Sequence, residues 1–342
     1  MAFSFTRHPE NPIVRPGLYD WRRCVVFNPG ALYDEGRFFL YERAAGQLRP
    51  FQCCIGMLES GDGVHFQHVS DQPVFTPEMA GSRYGSVQDP RVVKIEDTCY
   101  MTYAFRPYAC NYSPTGLGVP DTAQAAYPGF DGNAERNQTR SGLAVSRDRV
   151  HWRHHCWPTP ADLDDRDVIL FPEKIRGRFA LLRRPLQFAG PEYGTEKPGI
   201  WICFSEDLVN WTKPELLIKP AFKWEDGRIG GSTPPLRTEK GWLVLYHGVE
   251  SQHPPTCRMV YRLGAMLLDL GDPRKVIART PRSIMEPEAY YEKFGLFIPD
   301  VIFPTGNVVK DGLLYLYYGV ADTAIALATA PLDELVTHVL KG

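Results

Sequence analysis

Short apolar runs, each opened by a turn and rich in aromatic residues, recur along the chain. Five share one form: GRFFLYERA from Gly36, DTCYMTYAF from Asp97, GRFALLRRP from Gly177, GWLVLYHGV from Gly241 and GLLYLYYGV from Gly312. Their starts lie 61, 80, 64 and 71 residues apart. Runs of this length bounded by turn residues predict β-strands. Each is followed by a further strand: IGMLES, SGLAVSRD, IWICFSED, LGAMLLDL and IALATAPL. Three of these continue into a turn and an aromatic residue, with Asp62 and Phe66, Asp148 and Trp152, Asp207 and Trp211. Because the Asp and the aromatic recur at equivalent places, they are expected to be structural. A proline-marked segment precedes each unit: FNPG with Pro29, QDPR with Pro90, FPEK with Pro172, STPP with Pro234 and FPTG with Pro304.

Five units of three or four short antiparallel strands describe an all-β, five-bladed β-propeller formed by residues 1–342 as one domain. A two-sheet sandwich would not explain five evenly spaced copies. In a propeller the first strand of each blade faces the central axis, so the five proline-marked segments should converge there. Proline lacks a ladder donor and is tolerated at a strand start, where we expect it here. The one helical pattern is short, over 331–341. The longest irregular stretch, 106–140, is expected to act as a lid, since long loops in compact domains are usually functional or disordered.

Composition narrows the function. The formal net charge is −2, with no basic tract, which excludes nucleic acid and a membrane surface as partners. No apolar run is long enough for a membrane span, and the start MAFSFTRHPE has no secretory pattern, so a cytoplasmic location is expected. A homo-oligomer is compatible with the sequence. Cys24, Cys53, Cys54, Cys99, Cys110, Cys156, Cys203 and Cys257 form no C-x-x-C pair and read as reduced thiols, not a zinc site. His151, His154 and His155 read as a solvated outer-strand cluster, and the acidic run Asp162–Asp167 as a solvated turn whose Arg166 could reach the axis.

The converging segments carry Asn28, Asp89, Arg91, Glu173, Lys174, Ser232, Thr233, Thr305 and Asn307, with His247 and Asp322 just after the second strands of blades 4 and 5. Carboxylates, amides, hydroxyls and cations around one axis suit a sugar, and paired carboxylates suit cleavage of a glycosidic bond. Simpler roles exist for several: Asp89 paired with Arg91, Glu173 with Lys174, His247 as a core histidine. There is no G-x-S-x-G elbow and no glycine loop opening a helix.

The ordered set FNPG, QDPR, LFPEKI, GGSTPP, GWLVLYHGV, LLDLGDPRKVIART, EPEAYYEKFG, VIFPTGN and YYGVADT resembles glycoside hydrolase family 130, over residues from about 25 to 335. The resemblance implies a five-bladed propeller acting on β-mannosides, without metal or organic cofactor, either as an inverting β-1,2-mannosidase or as an inverting phosphorylase using inorganic phosphate. It places the catalytic acid, the Asp of an E-D-P-R motif, on Asp89, with Gln88 where the family has Glu. A hydrolase needs a carboxylate to activate water, for which Glu135 and Glu173 are candidates. A phosphorylase needs converging cations, for which Arg140, Arg166, Lys174 and His247 are candidates. Asn28, Arg91, Lys174, Ser232, His247, Tyr261 and Asp322 would hold the sugar. The 106–140 loop, the segment Gly194–Trp201 and EPEAYYEKFGLFIPD lean toward the hydrolase branch. A non-catalytic glycan-binding propeller is a third reading, disfavoured by the clustering of acid, base and cation.

Overall fold

A computed structural model describes residues 3–113, 121–251 and 259–342. Cys257 and residues 114–120 of the expected lid lie outside the described residues. Five antiparallel sheets stand around one axis. Blade 1 has strands Val25–Asp34, Arg37–Ala45, Cys53–Ser60 and Gln67–His68. Blade 2 has Ser86–Ile95, Thr98–Arg106, Arg140–Ser146 and Arg153–Cys156. Blade 3 has Asp165–Leu170, Phe179–Pro185, Ile200–Ser205 and Glu215–Ile218. Blade 4 has Arg228–Gly231, Gly241–Ser251, Met259–Leu268 and Val276–Arg279, with Leu236–Thr238 extending its inner edge. Blade 5 has Ile302–Lys310, Leu313–Val320 and Ala324–Pro331. Its fourth strand is Thr6–Arg7, from the other end of the chain, paired Thr6 to Thr329 and Arg7 to Ala328. The first and last segments therefore close the ring together. A closed ring leaves only short outer edges, which suits an all-β chain of many short strands.

The second and third strands fall where the repeats place them, and they are buried on both faces between neighbouring blades. That two-sided burial explains their near-continuous apolar character. The Ser-x-Asp turns are structural, as expected. Ser60 and Asp62, Ser146 and Asp148, and Ser205 and Asp207 hydrogen-bond at 2.8, 3.0 and 3.0 Å. Each Asp also caps two backbone N–H groups of its turn. The C-terminal helix spans Leu332–Lys341 and buries Leu335, Val336 and Val339 against blades 4 and 5.

The inner strands differ from expectation in two ways. First, the prolines do not start them. Pro29, Pro90 and Pro304 sit inside the strands at β-bulges, where pairing shifts between Phe27 and Gly30, Gln88 and Arg91, and Pro304 and Gly306. Pro29 and Pro90 fall among the residues the bulge leaves unpaired, so their missing N–H costs nothing, while Pro304 flanks its bulge, where Thr305 is the unpaired residue. Second, the inner strand of blade 3 is not at FPEK. It is the acidic run itself, Asp165–Leu170, with its bulge between Arg166 and Ile169. The expected solvated turn is a buried axial strand because its acids find arginine partners from other strands. His154 is also not solvated: it is half-buried and bonded to Tyr103 Oη at 2.8 Å.

Two buried glutamates fasten the turns that lead into blades 4 and 5. Glu225 takes the backbone N–H groups of Ala221 and Phe222, Tyr246 Oη and Arg279. Glu292 takes the N–H groups of Glu288 and Ala289, Tyr318 Oη and Arg7. Arg7 thus secures the closing strand to the last blade. Arg7→Ala leaves a fully buried carboxylate short of its cation and should destabilise the fold by about 2–3 kcal/mol. Urea unfolding with an unchanged m-value measures this; a cost near zero would show that the closing strand is held by its ladder alone.

Candidate active site

The inner-strand bulges set the site. Asn28, Asp89 and Asp167 occupy equivalent places in blades 1, 2 and 3, with φ of 45°, 51° and 54°. Asn and Asp tolerate this left-handed conformation better than other side-chain-bearing residues. It interrupts the strand's alternation and turns all three side chains into one pocket of about 160 Å³. Arg43, Gln88, Arg166, Arg184, Arg228, His247, Tyr261 and Asp322 complete its polar lining, and Tyr112, Phe297 and Phe303 are among its apolar walls. A larger surface cleft of about 700 Å³ between Arg237–Lys240 and the C-terminal helix has only exposed charged residues and no inward acid.

Asp89 is nearly buried. Its Oδ1 accepts from Asn28 Nδ2 at 2.8 Å and from Arg43 Nη1 at 2.9 Å. Burial raises its pKa, but Arg43, Arg91 and Asn28 together outweigh burial and hold the carboxyl below its usual range. Gln88, in place of an acid, lines the pocket and donates to Ser86 Oγ at 3.0 Å, so no second carboxylate on this strand opposes that effect. Asp322 behaves oppositely. Burial is the main cause, opposed by Arg43 and assisted by Asp89, and its carboxyl is pushed up to about 7. The two acids thus hold their protons differently within one pocket.

Asp167 lies between Arg91 Nη2 at 3.0 Å and Arg184 Nε at 2.7 Å. Burial would raise it, but Arg184, His247 and Arg91 keep it well below the carboxylate range. His247 is buried, with Nε2 3.6 Å from Asp167 Oδ2 and Nδ1 3.5 Å from Ser232 Oγ. Burial pushes its pKa down to about 3 against the pull of Asp167, so the imidazole is neutral at pH 7. Arg166 forms a two-pronged pair with Asp164, both contacts at 2.8 Å. Arg228 differs from the other pocket arginines: among the described residues its side chain bonds only Tyr261 Oη and Met259 Sδ, and no carboxylate pairs with it.

The sequence candidates therefore divide. Asn28, Asp89, Arg166, His247, Tyr261 and Asp322 meet in the pocket. Arg91 lies just beneath, joined to the Ser232 carbonyl at 3.0 Å and the Asp89 carbonyl at 3.1 Å. Ser232, through its carbonyl, and Thr233, Thr305 and Asn307 bond neighbouring inner-strand segments to one another and do not line the pocket. Glu173 and Lys174 lie away from it, beyond the far end of the blade 3 inner strand. Glu173 pairs with the exposed Arg237 at 2.7 Å, and Lys174 Nζ sits 4.6 Å from the Phe179 ring centroid. Glu135 is exposed on the short helical turn Ala134–Arg136. Arg140 stacks on Trp157 at 3.8 Å in blade 2. The 106–140 stretch reaches the pocket through Tyr112, on the strand Asn111–Ser113. Arg43, Arg184, Arg228 and Asp167 belong to the site but were not among the candidates. No cluster suited to a metal ion occurs among the described residues.

A buried axial pocket with two acids of opposed protonation and a surplus of guanidinium groups defines a carbohydrate-active propeller enzyme that cleaves glycosidic bonds. The chain belongs to glycoside hydrolase family 130. The family's model, described as beta-1,4-mannooligosaccharide phosphorylase, matches residues 5–116 and 158–341. A 1,2-beta-oligomannan phosphorylase of Thermoanaerobacter sp. (strain X514) is 36% identical over 96% of this chain and 98% of its own. A beta-1,2-mannobiose phosphorylase of the same organism is 34% identical over 97% and 99%. The solved structure of a beta-1,2-mannobiose phosphorylase from Listeria innocua, in complex with beta-1,2-mannobiose, superposes with a TM-score of 0.74 at 26% identity, covering 99% of both chains.

The raised Asp322 predicts a pH signature. Its folded pKa exceeds its unfolded value, so the folded chain holds the proton more tightly, and stability is lost as pH rises through about 7. Asp322→Asn mimics the protonated form. Its melting temperature should exceed wild type by clearly more at pH 8 than at pH 5, since the loss begins above the unfolded carboxyl value of about 4 and is complete near 7, with activity lost at both; equal melting differences at the two pH values would refute the raised pKa.

Proposed function

We propose that this chain is an inverting β-mannoside phosphorylase that cleaves β-1,2-linked mannooligosaccharides with inorganic phosphate. This replaces the hydrolase reading favoured from the sequence. The observation that carries it is the cation inventory: Arg228 lines the pocket with no carboxylate paired to it among the described residues, together with Arg184 and Arg166. A tetrahedral dianion is the ligand such a set suits, since guanidinium groups bind phosphate through paired, charge-assisted hydrogen bonds. A hydrolase would instead need a spare carboxylate base at the water. Glu135 and Glu173 stand outside the pocket, Asp167 is already claimed by Arg91 and Arg184, and Asp322, pushed up to about 7, keeps its proton below neutral pH. The names of the relatives support the same choice and the β-1,2 linkage.

The reaction then runs as a single displacement. Asn28 and Asp322, with Tyr261, hold the terminal mannose. A phosphate oxygen attacks the anomeric carbon from the face opposite the glycosidic oxygen, and the C–O bond to the leaving sugar breaks. A proton passes to that oxygen from Asp89 through a mannose hydroxyl. The proton carried by hydrogen phosphate restores the balance, and the products are α-mannose 1-phosphate and a shortened mannoside. Neutral His247 accepts or donates a hydrogen bond without adding charge. No cofactor takes part.

Incubation with β-1,2-mannobiose, with and without phosphate, tests this. Mannose 1-phosphate should appear only with phosphate; free mannose released at the same rate without phosphate would reinstate the hydrolase. Arg228→Ala should raise the KM for phosphate by about ten- to a hundredfold, with a smaller change in the KM for the mannoside. Asp89→Asn should lower kcat by about a hundredfold or more.

A further inference from the structure

An aromatic pair stands in water close to the pocket. Tyr290 and Phe294 are 76% and 58% exposed, with ring centroids 4.9 Å apart and planes tilted by 33°. They lie four residues apart, so one face of the helical turn presents both. Large exposed aromatics usually sit on mobile segments or at contacts; this turn is firmly held. Glu292, fully buried inside it, binds Arg7, Tyr318 Oη and two backbone N–H groups. Asn11 bonds Tyr291 Oη at 3.1 Å. Just beyond the pair, Leu296 N–H donates to Thr323 Oγ1 at 2.7 Å, one residue from Asp322.

The same segment then enters the pocket wall. Phe297 and Ile298 line the pocket, and Phe297 packs on Tyr112 and Phe51 at 4.9 and 5.0 Å. From Phe294 to Phe297 the backbone covers at most about 11 Å. An exposed aromatic strip therefore runs from the rim into the mouth. The C–H faces of hexoses stack on such rings, while exposed Glu288 nearby offers oxygens to hydroxyl groups.

We propose that Tyr290 and Phe294 form a platform for the distal units of a mannooligosaccharide whose terminal residue occupies the pocket. The proposal rests on the phosphorylase reading, and it makes longer β-1,2-mannosides better substrates than the disaccharide. The occupant is sugar, not a second copy of the chain, because the strip is continuous with the sugar pocket and its turn is anchored in the same direction.

The test is the double variant Tyr290→Ala, Phe294→Ala. Both side chains are exposed, and an unchanged melting temperature would confirm an intact fold. Phosphorolysis of β-1,2-mannotetraose should lose about tenfold in kcat/KM, while that of β-1,2-mannobiose stays as in wild type. Equal losses on both substrates, no loss on either, or a change of mass in light scattering would overturn the platform, the last by making the pair a contact between copies. Calorimetric titration with mannotetraose reads the platform apart from turnover: the variant should bind it no more tightly than mannobiose. Wild type that binds mannotetraose more tightly than mannobiose but turns over neither with phosphate would defeat the phosphorylase reading and leave the platform standing. Equal wild-type binding of the two sugars would defeat the platform.

Discussion

The guanidinium of Arg91 is the knot of the molecule. It lies on the axis, almost fully buried, and reaches three blades at once: the Asp89 carbonyl, Asp167 Oδ1 and the Ser232 carbonyl. A buried guanidinium is tolerable only when its donors are met, and here those partners also define the pocket floor. Through Asp89 it fixes a bulge; through Asp167 it fixes a second. Asp167 in turn holds Arg184 at the pocket edge and sits against His247. Remove the knot, and an acid, a cation and a histidine lose their reference together.

The bulges are the second constraint. A left-handed residue inside a strand costs on the order of 1–3 kcal/mol unless its surroundings impose it. Three blades impose it, at Asn28, Asp89 and Asp167, and each time the side chain gained lines the axial pocket. Close packing between inner strands leaves little freedom: a Cβ on Gly306 would lie 2.6 Å from the Pro29 carbonyl oxygen, and one on Gly319 would lie 2.1 Å from Asn28 Oδ1. The Gly319 contact is part of the site, since anything that moves Asn28 also moves a hydrogen bond to Asp89.

The blades were legible because their second and third strands are buried on both faces, and burial writes itself as apolar runs. Asn28 and Asp89 were legible because they share a place on the inner strands, and His247 and Asp322 because they belong to the second-strand repeat or follow it. The inner strand of blade 3 was not. Its acids are paired with Arg91, Arg183 and Arg184, one of them 76 residues away in sequence, and an acidic run shows its charge but not its partners. Taking FPEK for that strand placed Glu173 and Lys174 on the axis, when they lie at the other end of the blade. Arg43 and Arg184 had a usable signal. Both lie in the last residues of second strands, as Asp322 falls just past the end of its own, and one rule applied to every blade would have found them. Arg228 had none, because what distinguishes it is that no carboxylate among the described residues pairs with it.

The opposed acids bear on why such a pocket would favour phosphate over water. With the pocket empty, Asp89 is ionised, because Arg43, Arg91 and Asn28 outweigh its burial; as it stands it has no proton to give. An entering phosphate dianion on Arg228, Arg184 and Arg166 places negative charge in the same pocket, offsets the field of Arg43 and Arg91 at Asp89 and raises its pKa. On the phosphorylase reading the acid therefore becomes competent when the nucleophile arrives, and the nucleophile also brings the proton. Water brings no charge and leaves Asp89 ionised. The pocket's arginines would then do more than bind the anion: they make protonation of the acid conditional on its presence.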